Sequence, residues 1–169
     1  MKTILSLLTA LLFVSFNSSY AGLASVKNCT ITQEKDFRSI ATYIKNHWRG
    51  FERYLERETD LNIKKCIKNR FKKNGKILCK SSNTGMCDGA NGWAVPGAKK
   101  IRLCPSFLNR ISRYSKNNRR ACYLALMAHE FSHSCFRTER DAELIDDASF
   151  DYWDSTHTLS IVLRDCGMD

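Results

Sequence analysis

Tyr123-Leu-Ala-Leu-Met-Ala-His-Glu-Phe-Ser-His-Ser-Cys135 is an apolar stretch ending in His129, Glu130 and His133, the H-E-x-x-H pattern. On a helix, residues four apart lie one turn above each other on one face, so two imidazoles can grip one metal ion. Glu130 then stands at the open side of that ion, where a carboxylate can take a proton from water. The chain has four histidines, at 47, 129, 133 and 157, and two of them fall on this turn. Ala121 to Ala128 are apolar on all sides, and a helix apolar all round is a buried one. Buried histidines and a buried glutamate are costly unless a metal or a hydrogen-bond network satisfies them. The stretch therefore reads as a buried helix with one zinc ion per chain, held by His129 and His133, with Glu130 as general base.

Upstream of this helix the pattern is amphipathic. Thr30 and Gln33 have the spacing of a capping box. Phe37, Ile40, Ile44, Trp48, Phe51 and Leu55 then recur at threes and fours, predicting a long helix to about Glu58, with Gly50 as its weak point. Asp60 is placed to cap a second helix, Leu61 to Lys73, which Asn74-Gly75 ends. Lys76 to Cys79 reads as a short strand. Gly92 to Val95, Pro96-Gly97 and Lys100 to Cys104 read as a hairpin. Pro105 opens a helix through Ile111. Past the zinc helix, Thr138 to Asp141 starts another that runs to Trp153, and Thr158 to Leu163 is a last apolar segment.

Met1 to Ala21 has the positive start, apolar core and small-residue end of a secretory signal, which leaves residues 22–169 as a single domain. The apolar run is too short to span a bilayer, and no later run is longer. All eight cysteines (Cys29, Cys66, Cys79, Cys87, Cys104, Cys122, Cys135 and Cys166) fall in that domain. An even number in an exported chain implies a disulfide framework, and a secreted or periplasmic location. Cys79 and Cys87 are placed to pin the loop between Ser81 and Asn91. Cys122 and Cys135 cannot bridge each other on one helix, where thirteen residues span about 20 Å.

The formal charge is +10 and unevenly spread. Lys64 to Lys80 holds eight basic residues and no acid, whereas nine acids lie between Glu139 and Asp169. The basic run predicts weak contact with anionic surfaces. Phe71 is its only ring, so specific nucleic-acid binding by base stacking is not expected. The acids beyond the zinc helix predict a preference for a basic side chain beside the cleaved bond.

Three pieces of the chain resemble the aspzincin metalloendopeptidases, the deuterolysin and peptidyl-Lys endopeptidase group. They are Trp93-Ala-Val-Pro96 with Lys100-Ile-Arg-Leu-Cys-Pro-Ser-Phe107, the zinc helix His129 to His133, and Asp147-Ala-Ser-Phe-Asp-Tyr-Trp153. Together they cover roughly residues 92–153. The resemblance implies an α+β, zincin-like fold, mainly helical, with a small sheet packed on the buried helix and disulfide staples. It also implies a zinc endopeptidase acting on protein or peptide substrates. The family takes its third ligand from Gly-Thr-x-Asp-x-x-Tyr-Gly, and the corresponding stretch here is Arg137-Thr-Glu-Arg-Asp-Ala-Glu-Leu144. Thr138 and Asp141 match it with one extra residue between them, while the glycines and the tyrosine are missing. Asp141 is the expected third ligand, with Glu143 as the alternative, and Glu139 is set aside as too close to His133. Neither the glycine nor the third histidine of the metzincin pattern follows. The oxyanion-stabilising residue is open, with Tyr152 and His157 as candidates from their place in sequence. A rival reading from another class is a basic, disulfide-stapled binding protein, or an inactive relic of such an enzyme, docking on anionic surfaces.

Overall fold

The computed structural model describes residues 22–63, 65–157 and 166–167; the predicted signal segment and the apolar segment from Thr158 to Leu163 lie outside them. A short strand, β1 (Ser25–Lys27), leads into α1 (Ile31–Asn46). The capping box forms as the spacing predicts: the Thr30 hydroxyl accepts from the Gln33 amide, and the Gln33 side chain accepts from the Thr30 amide. The long helix expected next is in fact two, because α2 runs from Trp48 to Thr59 and the break falls at His47. There the backbone leaves the helix (φ −108°, ψ 22°), and both Phe37-Ile40-Ile44 on α1 and Trp48-Phe51-Leu55 on α2 reach the core. Gly50 stays inside α2, where a Cβ would lie 3.4 Å from the Tyr152 hydroxyl.

Asp60 ends α2 in the left-handed conformation (φ 54°) instead of capping the next helix, a role its short polar side chain tolerates. The second helix is accordingly shorter than expected. It comprises α3 (Lys65–Asn69) and a π-turn over Arg70–Asn74. Arg70 and Phe71 are both buried there. The Arg70 guanidinium donates to the Ser134 hydroxyl, the Asn74 side chain and the Gly97 carbonyl, tying this turn to the end of the H-E-x-x-H helix and to the hairpin. Gly75 follows because nothing larger fits: a Cβ would lie 2.2 Å from the Arg70 carbonyl oxygen and 2.7 Å from the Phe131 ring.

Three more strands, β2 (Lys76–Cys79), β3 (Gly92–Ala94) and β4 (Lys100–Leu103), complete a sheet of order β1-β2-β4-β3. β1 and β4 both run parallel to β2, and β3 pairs antiparallel with β4 as the predicted hairpin. β3 is thus one edge of the sheet. After α4 (Pro105–Ile111) come α5 (Lys116–Ser134) and α6 (Glu139–Thr156), which pack along each other. Ala121 to Ala128 of α5 are all buried, as an all-apolar turn requires. β3 and β4 lie against α5 on one side, and α1 and α6 cover others.

All eight cysteines form disulfides, Cys29–Cys79, Cys66–Cys135, Cys87–Cys104 and Cys122–Cys166. Cys79 and Cys87 both reach away from the loop between them instead of closing it on itself. Cys122 and Cys135 have separate partners, as their separation along α5 demands. Such a set of bridges fits an oxidising compartment. Among the described residues no helix is long and apolar enough to cross a membrane.

Candidate metal centre

His129 and His133 sit one turn apart near the end of α5, with their Nε2 atoms 3.0 Å from each other. The carboxylate that faces them is Glu139: its Oε1 is 3.2 Å from His129 Nε2, and its Oε2 is 3.0 Å from His133 Nε2. The turn between the helices explains how a residue so close in sequence gets there. Cys135 caps α5 and Phe136 takes the left-handed conformation (φ 64°). The Phe136 amide donates to the His133 carbonyl and the Arg137 amide to the Ser132 carbonyl, the two bonds of a Schellman cap. Thr138 then caps α6, its hydroxyl accepting from the Asp141 amide, and Glu139 is the first residue of the new helix.

This turn also places Glu139, and not the expected Asp141, beside the two histidines. Asp141 comes two residues after Glu139, about 200° around the helix, and its carboxylate meets the Arg137 guanidinium at 3.3 Å. Glu143 is exposed one turn beyond Glu139. The chain reversal at Phe136 brings Glu139 back over the histidines despite its closeness to His133 in sequence. One signal was available. Glu139 stands six residues after His133, where H-E-x-x-H-x-x-G-x-x-H places its third ligand, and Phe136 occupies the position of the glycine. A bulky residue at positive φ is uncommon, so nothing in its identity announced the turn.

The three side chains come close enough together to share one ion. The two Nε2 atoms are 3.0 Å apart, each lies 3.0–3.2 Å from its own Glu139 oxygen, and one ligand atom from each residue can be taken with all three within 4.8 Å of one another. Two imidazoles and a carboxylate form a donor set suited to zinc. Among the described residues, these three are the one group of His, Cys, Asp or Glu side chains able to share an ion in this way.

Asp146, two turns along α6 from Glu139, is buried and lies 2.7 Å through Oδ2 from His129 Nδ1. Accepting a proton-bearing Nδ1 leaves Nε2 with its lone pair toward the cluster. Burial on its own would lower the His129 pKa. The hydrogen bond and charge of Asp146, helped by Glu130 and Glu139, outweigh it and raise the value. Burial likewise raises the Asp146 carboxyl, against the pull of His129.

Glu130 is 3 % exposed. Its Oε1 lies close to Gly92 of β3, where a Cβ would come within 2.8 Å, and its Oε2 has no hydrogen-bond partner within the protein. Loss of water around the carboxylate pushes its pKa up to about 7. A cleft of about 180 Å³ opens here, lined by Gly89 to Gly92, Leu126, His129, Glu130 and Glu139.

Other expected participants lie elsewhere. Tyr152 packs among Tyr43, Phe51 and Tyr54, and His157 stacks on Trp153 with ring centres 4.0 Å apart. Neither lines the cleft. Asp151 and Asp154 lie near Tyr54 and Glu58 on the α2 side, so the cleft's own carboxylates are Glu130 and Glu139. Comparison of the chain with protein-family models, curated proteins and solved structures finds no match.

Proposed function

We propose that this protein is an exported, zinc-dependent endopeptidase with a zincin-like arrangement of its helices and sheet. The observation that carries the reading is the convergence of His129, His133 and Glu139 on one point beside Glu130. Bound zinc supplies the Lewis acidity that makes water nucleophilic near neutral pH. His129 and His133 hold the ion through Nε2, Glu139 through its carboxylate, and Asp146 keeps the His129 ring turned toward it. Glu130 takes the proton of the attacking water and returns it to the leaving amine, a task for which a carboxyl near 7 is well matched. The cleft runs beside β3, an edge strand, so an extended peptide can lie along the sheet edge with its backbone close to Glu130.

The resemblance to aspzincins survives in this reading as a likeness of helix and chemistry, with a glutamate from the following turn in place of the family's aspartate. The rival, a binding protein built on an inactive relic, has no use for a dehydrated carboxylate aimed into the cleft. Glu130→Gln tests the reading. The variant is expected to bind zinc as the parent does and to lose at least about a hundredfold in hydrolysis of an unfolded protein substrate, the scale of a general-base contribution. Parent-like hydrolysis by that variant would overturn it.

A further inference from the structure

We propose that a second site, separate from the histidine cluster, binds a linear polyanion with phosphate or sulfate groups repeating along a flexible backbone. Two concavities of about 470 Å³ each adjoin on the side formed by α2, α3 and the π-turn, and share Lys68 and Lys72 in their walls. Lys45 and Arg49 complete the first, and Lys65 and Lys73 the second. Glu52 is the one acid in either lining. None of their lining residues belongs to the metal cleft.

The sequence builds this trough by spacing. Positions 65, 68 and 72 recur at three and four, which aligns their side chains in a row about 10 Å long. Lys45 and Arg49 face it from the junction of α1 and α2. Like charges this close repel one another, and a fold that gains nothing from them would be expected to interleave acids. Among the described residues none of the six cations forms an ion pair, whereas Arg38, Arg57, Arg119, Arg120 and Arg137 each have a carboxylate partner. Six cations without an ion pair, spread over two adjoining concavities, make a potential that a repeating anion satisfies and a single small anion does not.

Two observations narrow the partner. Trp48, the trough's indole, is 3 % exposed and lies beneath Lys68, whose Nζ is 5.7 Å from its ring centre. It offers no face for a base to stack on, which disfavours single-stranded nucleic acid. The large exposed apolar side chains, Ile31, Met86, Val95, Phe136 and Leu144, all lie outside the trough. A concave, mainly basic surface whose apolar lining residues, Trp48, Ile63 and Tyr152, are all buried is poorly shaped for a bilayer. What remains is a flexible chain read through its charges.

The test uses the full mature chain and a fluorescently labelled inorganic polyphosphate, with binding followed by anisotropy at low salt. The double variant Lys68→Glu/Lys72→Glu is expected to weaken binding at least about tenfold, and the parent's affinity to fall steeply between 50 and 200 mM salt. Lys99→Glu/Lys116→Glu changes the net charge equally at exposed positions outside the trough and is expected to bind within about twofold of the parent. Lys68→Gln/Lys72→Gln, with no added acid, should fall between them, and near-ultraviolet circular dichroism checks that Trp48 keeps its packing. Equal losses in the two Glu pairs would overturn the proposal in favour of diffuse charge. Tighter binding of single-stranded DNA of matched charge, or of phosphatidylglycerol vesicles, would overturn it in favour of those partners.

Discussion

Asp146 Oδ2 lies 2.7 Å from His129 Nδ1, joining a buried carboxylate of α6 to a half-buried imidazole of α5. That bond decides which nitrogen of His129 faces Glu139 and His133. Asp146→Asn keeps the shape and removes the charge. It is expected to lower zinc affinity roughly ten- to a hundredfold, the usual cost of losing a partner that orients a ligand. Competition against a chromophoric chelator measures it. An unchanged affinity would mean that packing alone holds the ring.

Gly92 brings the sheet against the Glu130 carboxylate. An alanine there would place a methyl 2.8 Å from Glu130 Oε1 and 3.0 Å from the Arg102 carbonyl oxygen. The backbone cannot yield easily, so the Glu130 side chain moves. Gly92→Ala is therefore expected to retain zinc and the fold yet lose about a hundredfold in turnover, the scale of an ångström's misplacement. Peptide hydrolysis measured beside zinc content separates these outcomes, and a variant as active as the parent would show that Glu130 has room to spare.

The raised Glu130 pKa makes a prediction about stability in the zinc-free protein. Its carboxyl ionises near 4.5 when unfolded and at about 7 when folded. Between those values the folded state binds more protons, so stability falls as pH rises through the window. The ionised group costs up to about 3 kcal/mol above it, at 1.36 kcal/mol per unit. Glu130→Gln should accordingly be more resistant to urea than the parent at pH 8, with the difference closing below about pH 4.5 in the absence of metal. A gap of the same size at both pH values would contradict the dehydrated carboxylate.

The elements with a strong local pattern were readable from sequence. α5 announced itself by apolar residues on every side, and the β3–β4 hairpin by Pro96-Gly97 between two apolar runs. The histidine pair and Glu130 followed from the spacing on that helix. The remaining parts depend on tertiary structure. His47 breaks the first long helix without a glycine or proline at the break, because both apolar stripes have to meet one core. β1 has three residues and gains its identity only by pairing with β2. The disulfide partners are set by which segments the fold brings together. Glu139 was hidden by Phe136, which takes a left-handed turn normally signalled by glycine while 71 % exposed.

Zinc content of the purified protein and of three variants tests the central claim most directly. One zinc per parent chain is expected, with none retained after dialysis by His129→Ala. Glu139→Ala should lose the ion or hold it far more weakly, while Asp141→Ala, which removes only the Arg137 contact and a carboxylate from the start of α6, should keep it fully. A parent that binds no zinc would contradict the metal centre itself. Loss of zinc in Asp141→Ala with retention in Glu139→Ala would contradict the assignment of its third ligand.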